Sequence, residues 1–221
     1  LQCIANGEKV AEFFEADSEI EPYKDNTLPA PEGNYEIEFK DVSFGYEESS
    51  QLFKNFNLRI KPGQRIAIVG ENGAGKTTLT KLLLRLYDVN NGAILINGKN
   101  IKDYDIHQLR LNMGVVFQDI RVLAMSLRDN LTVYNEVSDE KLIEIMDKIG
   151  LSDVLKKADG NLDTMVSREF TEDGIALSGG EAQKLMLARL FTDTFGLLIL
   201  DEPSSALDPL SEVNLMKNIL D

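Results

Sequence analysis

The sequence predicts an α/β fold in which a mixed sheet is joined to an antiparallel β portion and interrupted by a helical insertion. Three observations carry that prediction. Residues 35–44 and 56–60 alternate apolar and polar side chains, as strands with one buried face do. Three short apolar runs, Ile66–Val69, Gly114–Phe117 and Leu197–Leu200, have the length and continuity of strands covered on both faces. Between Asp119 and Asp193 the strand pattern gives way to apolar residues at helical spacing.

Composition narrows the class. The 221 residues are 43% hydrophobic and 27% charged, as in soluble globular proteins. Thirty-seven acids against 23 bases give a net charge of −14, which argues against nucleic acid as a partner, because phosphate backbones need a cationic face. No apolar run approaches the roughly 20 residues that cross a bilayer. With Cys3 as its single cysteine, the chain has no internal disulfide and suits a reducing compartment.

Residues 1–34 differ from the rest. They hold eight acids and two lysines, −6 of the −14. Val10, Phe13 and Phe14 suggest a short amphipathic helix, and Pro22, Pro29 and Pro31 then impose an extended linker. From Tyr35 the strands begin. Tyr35, Ile37 and Phe39 alternate, and Val42 and Phe44 resume one step out of phase, which predicts a bulge at Lys40-Asp41. Phe56, Leu58 and Ile60 form a second strand, closed by a Lys61-Pro62-Gly63 turn. The buried run Ile66–Val69 follows, then a helix over Lys76–Tyr87. Ala93–Ile96 with Asn97-Gly98 reads as a hairpin. Ser138 caps a helix with Leu142, Ile145, Met146 and Ile149 on one face, stopped by Gly150. Another helix starts near Ser178, and Pro209 opens a last one with Val213, Met216 and Ile219 inward.

Gly70-Glu71-Asn72-Gly73-Ala74-Gly75-Lys76-Thr77 fits the pattern G-x-x-x-x-G-K-[ST] between a strand and a helix. Its glycines let successive N–H groups turn toward phosphate oxygens, and the following helix adds its positive end. Lys76 supplies a mobile charge to the outer phosphates, and the Thr77 hydroxyl can ligate Mg²⁺. Asp201 and Glu202 stand at the carboxyl end of an apolar strand, where ligands of open parallel sheets bind. There Asp201 would hold Mg²⁺ through water and Glu202 would polarise the attacking water. Leu177-Ser178-Gly179-Gly180-Glu181 opens a second helix suited to an anion. One chain thus carries two phosphate cradles of different design.

Both cradles, in this order, resemble the ATP-binding cassette (ABC) ATPases over about Tyr35–Asp221. The resemblance implies a P-loop NTPase core with a mixed sheet, an antiparallel β subdomain and a helical insertion, binding ATP and Mg²⁺. It implies that Gly70 to Thr78, Thr78 included, hold the nucleotide, that Tyr46 in Val-Ser-Phe-Gly-Tyr stacks on adenine, and that Gln118 in Val-Val-Phe-Gln-Asp reaches Mg²⁺ and the attacking water. On the residues alone, Tyr46 is also an ordinary loop tyrosine and Gln118 a hydrogen-bonded loop amide. Ser205-Ala206-Leu207-Asp208 matches the loop that meets the opposite subunit, and it also suits a helix-capping turn before Pro209. In the family, Ser178, Gly179 and Gly180 of one subunit close on the ATP held by another. The expected partner is therefore a second such domain, alike or different.

The strand Glu36–Phe44 looks like the opening of exporter-type cassettes, and Gly7–Phe14 resembles the end of a preceding membrane helix. The expected organisation is a 1–34 linker after a membrane domain on the same native polypeptide, then an ATPase domain over 35–221. The implied place is the cytoplasmic face of the membrane. Arg168–Gly174 matches the exporter loop that meets the transmembrane partner only at Glu169, Glu172 and Gly174. Glu181 stands where the family usually has glutamine. The family's histidine for the γ-phosphate lies beyond the point where the sequence stops, so weak or no turnover is expected of residues 1–221. His107, the single histidine, reads as a surface or packing residue. The alternative is a soluble ABC ATPase of DNA repair or translation, whose coiled-coil insertion or tandem cassette is not found in the sequence. A P-loop kinase leaves Ser178-Gly179-Gly180 unexplained.

Overall fold

A computed structural model describes residues 27–47, 50–117, 122–132, 136–167, 173–201, 213 and 217. It divides into two compact units, Leu1–Arg110 and Leu111–Asp221.

The first unit is built on a four-stranded antiparallel sheet in the order β2-β1-β3-β4, with β1 at Ile37–Phe44, β2 at Phe53–Ile60, β3 at Asn91–Ile96 and β4 at Lys99–Asn100. The bulge in β1 falls where the phase of its apolar residues breaks. Its register with β2 shifts between Phe39 and Val42, and Asp41 takes a left-handed φ of 49°. Asn57 on β2 clasps the bulge, accepting from the Asp41 amide and donating to its carboxylate, both at 2.9 Å. Ile37, Phe39, Val42 and Phe44 are buried together as a result. At roughly 1.5–3 kcal/mol per fully buried large apolar side chain, this register is strongly preferred. The Asn97-Gly98 turn, both residues at positive φ, joins β3 to β4 as expected.

Helix α1 covers Lys76–Leu83, shorter than the composition of 76–87 suggests. Arg85 takes a left-handed φ of 48°, and the Leu86 amide turns back to the Lys81 carbonyl at 2.9 Å, which ends the helix. Arg110, near the end of α2 (Ile106–Leu111), donates to the Leu84 and Arg85 carbonyls at 2.9 and 2.8 Å. Leu28 in the extended segment before β1 bridges to Tyr104, donating to the Asp103 carbonyl and accepting from the Asp105 amide. The helix expected around Val10, Phe13 and Phe14 lies outside the described residues.

One expectation fails in this unit. Ile66–Val69 joins neither sheet, and Val69 is 93% exposed, with Ile66 and Ile68 also exposed. An apolar run predicts burial, whereas a strand requires a neighbour for its N–H and C=O groups. Among the described residues this run has no such neighbour.

The second unit holds a parallel pair, β5 (Met113–Val116) with β6 (Leu197–Leu200), and the helices α3 (Leu127–Leu131), α4 (Asp139–Lys148), α5 (Ser152–Lys157) and α6 (Gly179–Ala188). Its core gathers Leu127, Leu142, Met146, Val154, Leu185 and Leu187 from these helices, with Leu151 from a connection. Ser138 caps α4 by accepting from the Lys141 amide, and Gly150 (φ 74°) follows its end, as the sequence reads. Val213, expected to face inward, is exposed, and Met216 and Ile219 lie outside the described residues.

Candidate functional site

In the first unit the glycine-rich loop Gly70–Gly75 leads into α1. Gly75 is the helix N-cap at φ 95°, and a Cβ there would stand 2.8 Å from Phe53 Cζ. Only glycine meets both conditions. No side chain caps α1 and its first turn holds no acid, so the partial positive charge of its start is not offset there by a carboxylate. The Ala74 amide donates to the Glu71 carbonyl at 3.1 Å and tightens the loop. Lys76 folds back across it, Nζ donating to the Gly70 carbonyl at 2.8 Å and the Glu71 carbonyl at 3.1 Å. Gly70, Glu71, Asn72, Gly73 and Thr77 are exposed, and Thr78 is buried. A glycine-rich backbone loop crossed by a lysine, at a helix start without a side-chain cap, fits a chain of phosphates.

Tyr46 belongs to the same place. Its hydroxyl lies 3.0 Å from Thr78 Oγ1, either atom being able to donate. The ring is 50% exposed and is held edge-on by Phe44 at 5.2 Å and Tyr87 at 5.1 Å between centroids. Lys81 Nζ lies 5.7 Å from the ring centroid, a cation–π contact. The fold therefore brings Tyr46, half-exposed, to Thr78 at the start of α1 beside the P-loop. Tyr87 and Lys81 escaped the sequence reading. Lys81 falls at i+3 from Thr78 and so on the same side of α1, a spacing that offered the only signal for it.

In the second unit Ser178 caps α6. Its Oγ accepts from the Glu181 amide at 3.3 Å, and its own amide donates to Glu181 Oε2 at 2.8 Å, a reciprocal capping box. Glu181 Oε1 in turn accepts from Lys157 Nζ, at the end of α5, at 2.7 Å. The Lys157 ammonium, and after it the Ser178 amide, holds the Glu181 carboxyl below its ordinary range. Ser178 and Gly179 are exposed and Gly180 is half-buried, so the segment faces outward.

Asp201 follows β6. Its amide donates to the Val116 carbonyl at 2.8 Å, which continues the parallel pairing one residue further and fixes it at the carboxyl end of the pair. Gln118 and Glu202 lie outside the described residues, as do Ser205–Asp208, Glu169 and Glu172. Among the described residues no group of three His, Cys, Asp or Glu side chains could hold a metal unaided. His107 is exposed, a surface residue as expected. No described helix is long and apolar enough to cross a membrane.

Comparison with known proteins agrees with these motifs. The family model described as ABC transporter matches residues 53–205, more than half of the chain. The mitochondrial iron-sulfur clusters transporter ATM1 of Candida glabrata is 38% identical over 194 residues, which are 87% of this chain and 26% of that protein. The beta-(1-->2)glucan export ATP-binding/permease protein NdvA of Rhizobium johnstonii is 37% identical over 217 residues, covering 92% of this chain and 36% of that protein. Among solved structures, a bacterial Atm1-family ABC exporter with ATP bound superposes with a TM-score of 0.81 at 30% identity, over 96% of this chain and 37% of that one. The chain thus spans about a quarter to a third of these relatives. Its motifs and its relatives converge, and the chain belongs to the ABC transporter family as an ATP-binding domain homologous to exporters.

Proposed function

We propose that this chain is the ATP-hydrolysing domain of an exporter, two copies or two similar domains closing around two ATP molecules. The observation that carries this reading is the pair of helix starts with opposite chemistry. The α1 start is an uncapped glycine cradle with a lysine across it, whereas the α6 start is a serine-glycine-glycine edge already capped from below. The first suits the full phosphate chain. The second offers only the Ser178 hydroxyl and the Gly179 and Gly180 amides, enough to complete a site built by another chain. Tyr46 stacks the base, Lys76 engages the outer phosphates, and Glu202 polarises the attacking water. Mg²⁺, held by Thr77, Asp201 and Gln118 together with the phosphates, would neutralise charge on the transferring group.

The relatives named as transporters and exporters support an export role for the whole protein, with a membrane domain on the same polypeptide and the ATPase at the cytoplasmic face. They favour that role over a soluble ATPase of DNA repair or translation. Sedimentation of Glu202→Gln with ATP, in a chain extended to carry the γ-phosphate histidine, tests the reading. Blocking hydrolysis and removing a carboxylate near the γ-phosphate should make an ATP-dependent dimer persist. Adding Ser178→Arg should abolish it while each P-loop still binds ATP in calorimetry. A double variant that dimerises as well as Glu202→Gln alone contradicts the role given to Ser178.

A further inference from the structure

The Glu181 carboxylate stands in the first turn of the helix whose start faces the incoming phosphate, and it is the one acid in that turn. A carboxylate there stabilises its own helix through the capping box and the dipole. It also repels any anion that approaches the same helix start. The structure meets this with Lys157, which reaches from the end of α5 to Glu181 Oε1 at 2.7 Å. The two residues are 24 positions apart, and the pair is partly shielded, with side chains 49% and 23% exposed for Lys157 and Glu181. The neighbouring Lys156 is engaged elsewhere, with Asp153 at 2.8 Å, so the two lysines in tandem have separate partners.

We propose that Lys157 is a positioning residue for nucleotide closure: it cancels the charge of Glu181 and steadies the capping box, so that Ser178-Gly179-Gly180 can receive a phosphate. The inference rests on the reading that this segment closes on ATP held by a second copy. It accounts for glutamate at 181, because a neutral side chain there would need no counter-charge. At neutral pH Glu181 is ionised, its carboxyl held low by Lys157 and the Ser178 amide, so there is a charge to cancel.

The test is ATP-dependent association of the chain carrying Glu202→Gln, measured by sedimentation over a salt series. Lys157→Met should weaken association about threefold to tenfold at low salt, an effect that fades as salt screens the bare carboxylate. Lys157→Arg should restore it. In a Glu181→Gln background, Lys157→Met should change association less than twofold. ATP binding to the isolated P-loop should be the same in every variant. Equal losses in both backgrounds, a loss that salt does not alter, or no loss at all would overturn the proposal. Undiminished association of the Ser178→Arg chain, or no ATP-dependent association in Glu202→Gln itself, would instead overturn the underlying reading of the segment.

Discussion

Tyr35 carries a hydroxyl that is buried and, among the described residues, has no hydrogen-bond partner. Burial, with the neighbouring Tyr104, pushes its pKa up to about 12. Because the folded pKa lies above the unfolded value near 10, deprotonation favours the unfolded chain, and stability falls as the pH rises from 10 through 12. Tyr35→Phe should remove this alkaline loss, and at pH 7 it should raise stability by up to about 1 kcal/mol by deleting an unpaired buried group. Urea unfolding of both chains at pH 7 and pH 11 checks this, and parallel losses in the two chains would contradict it. The residue scale also marks where sequence reading stops. Gly75, Lys76 and Ser178 were legible because their chemistry lies in a local pattern. Lys157 was not, because its partner Glu181 lies 24 positions away and only the folded second unit brings them together.

Among the elements, β1 and β3 show how one irregularity dictates a neighbour. The bulge at Asp41 pushes its carbonyl toward β3, so that a Cβ on Gly92 would stand 2.3 Å from Asp41 O, at a φ of 80°. Gly98 has nearly the same φ, 78°, with nothing within 4 Å of its Cβ position. Gly92→Ala should therefore cost about 2–4 kcal/mol, clash and strain together, while Gly98→Ala should cost about 1 kcal/mol, strain alone. Chemical denaturation of the two variants measures the difference, and equal costs would mean that the bulge yields to the added methyl. The bulge itself was legible from the broken alternation of Phe39 and Val42, because a strand with one buried face prints its register on the sequence. Ile66–Val69 was misread for the converse reason. Its composition specifies apolar contact and says nothing of which strand accepts its backbone. The end of α1 was likewise hidden, since Arg85 gives no composition signal for a left-handed residue.

For the whole molecule, the two phosphate cradles occur in different compact units of one chain, the P-loop in Leu1–Arg110 and Ser178-Gly179-Gly180 in Leu111–Asp221. Both were legible as motifs. That they complete one site only between two chains is the central proposal, and it rests on the complementary chemistry of the two helix starts. Mixing two defective chains tests it most directly. Lys76→Ala spoils the P-loop and leaves the serine-glycine-glycine edge, while Ser178→Arg does the reverse. Each alone, in a Glu202→Gln background, should fail to associate with ATP. Mixed, they should form heterodimers holding one ATP per pair, at the single site built from the P-loop of the Ser178→Arg chain and the serine-glycine-glycine edge of the Lys76→Ala chain. A mixture that stays monomeric while the Glu202→Gln parent dimerises, or one that binds two ATP per pair, would contradict closure between chains.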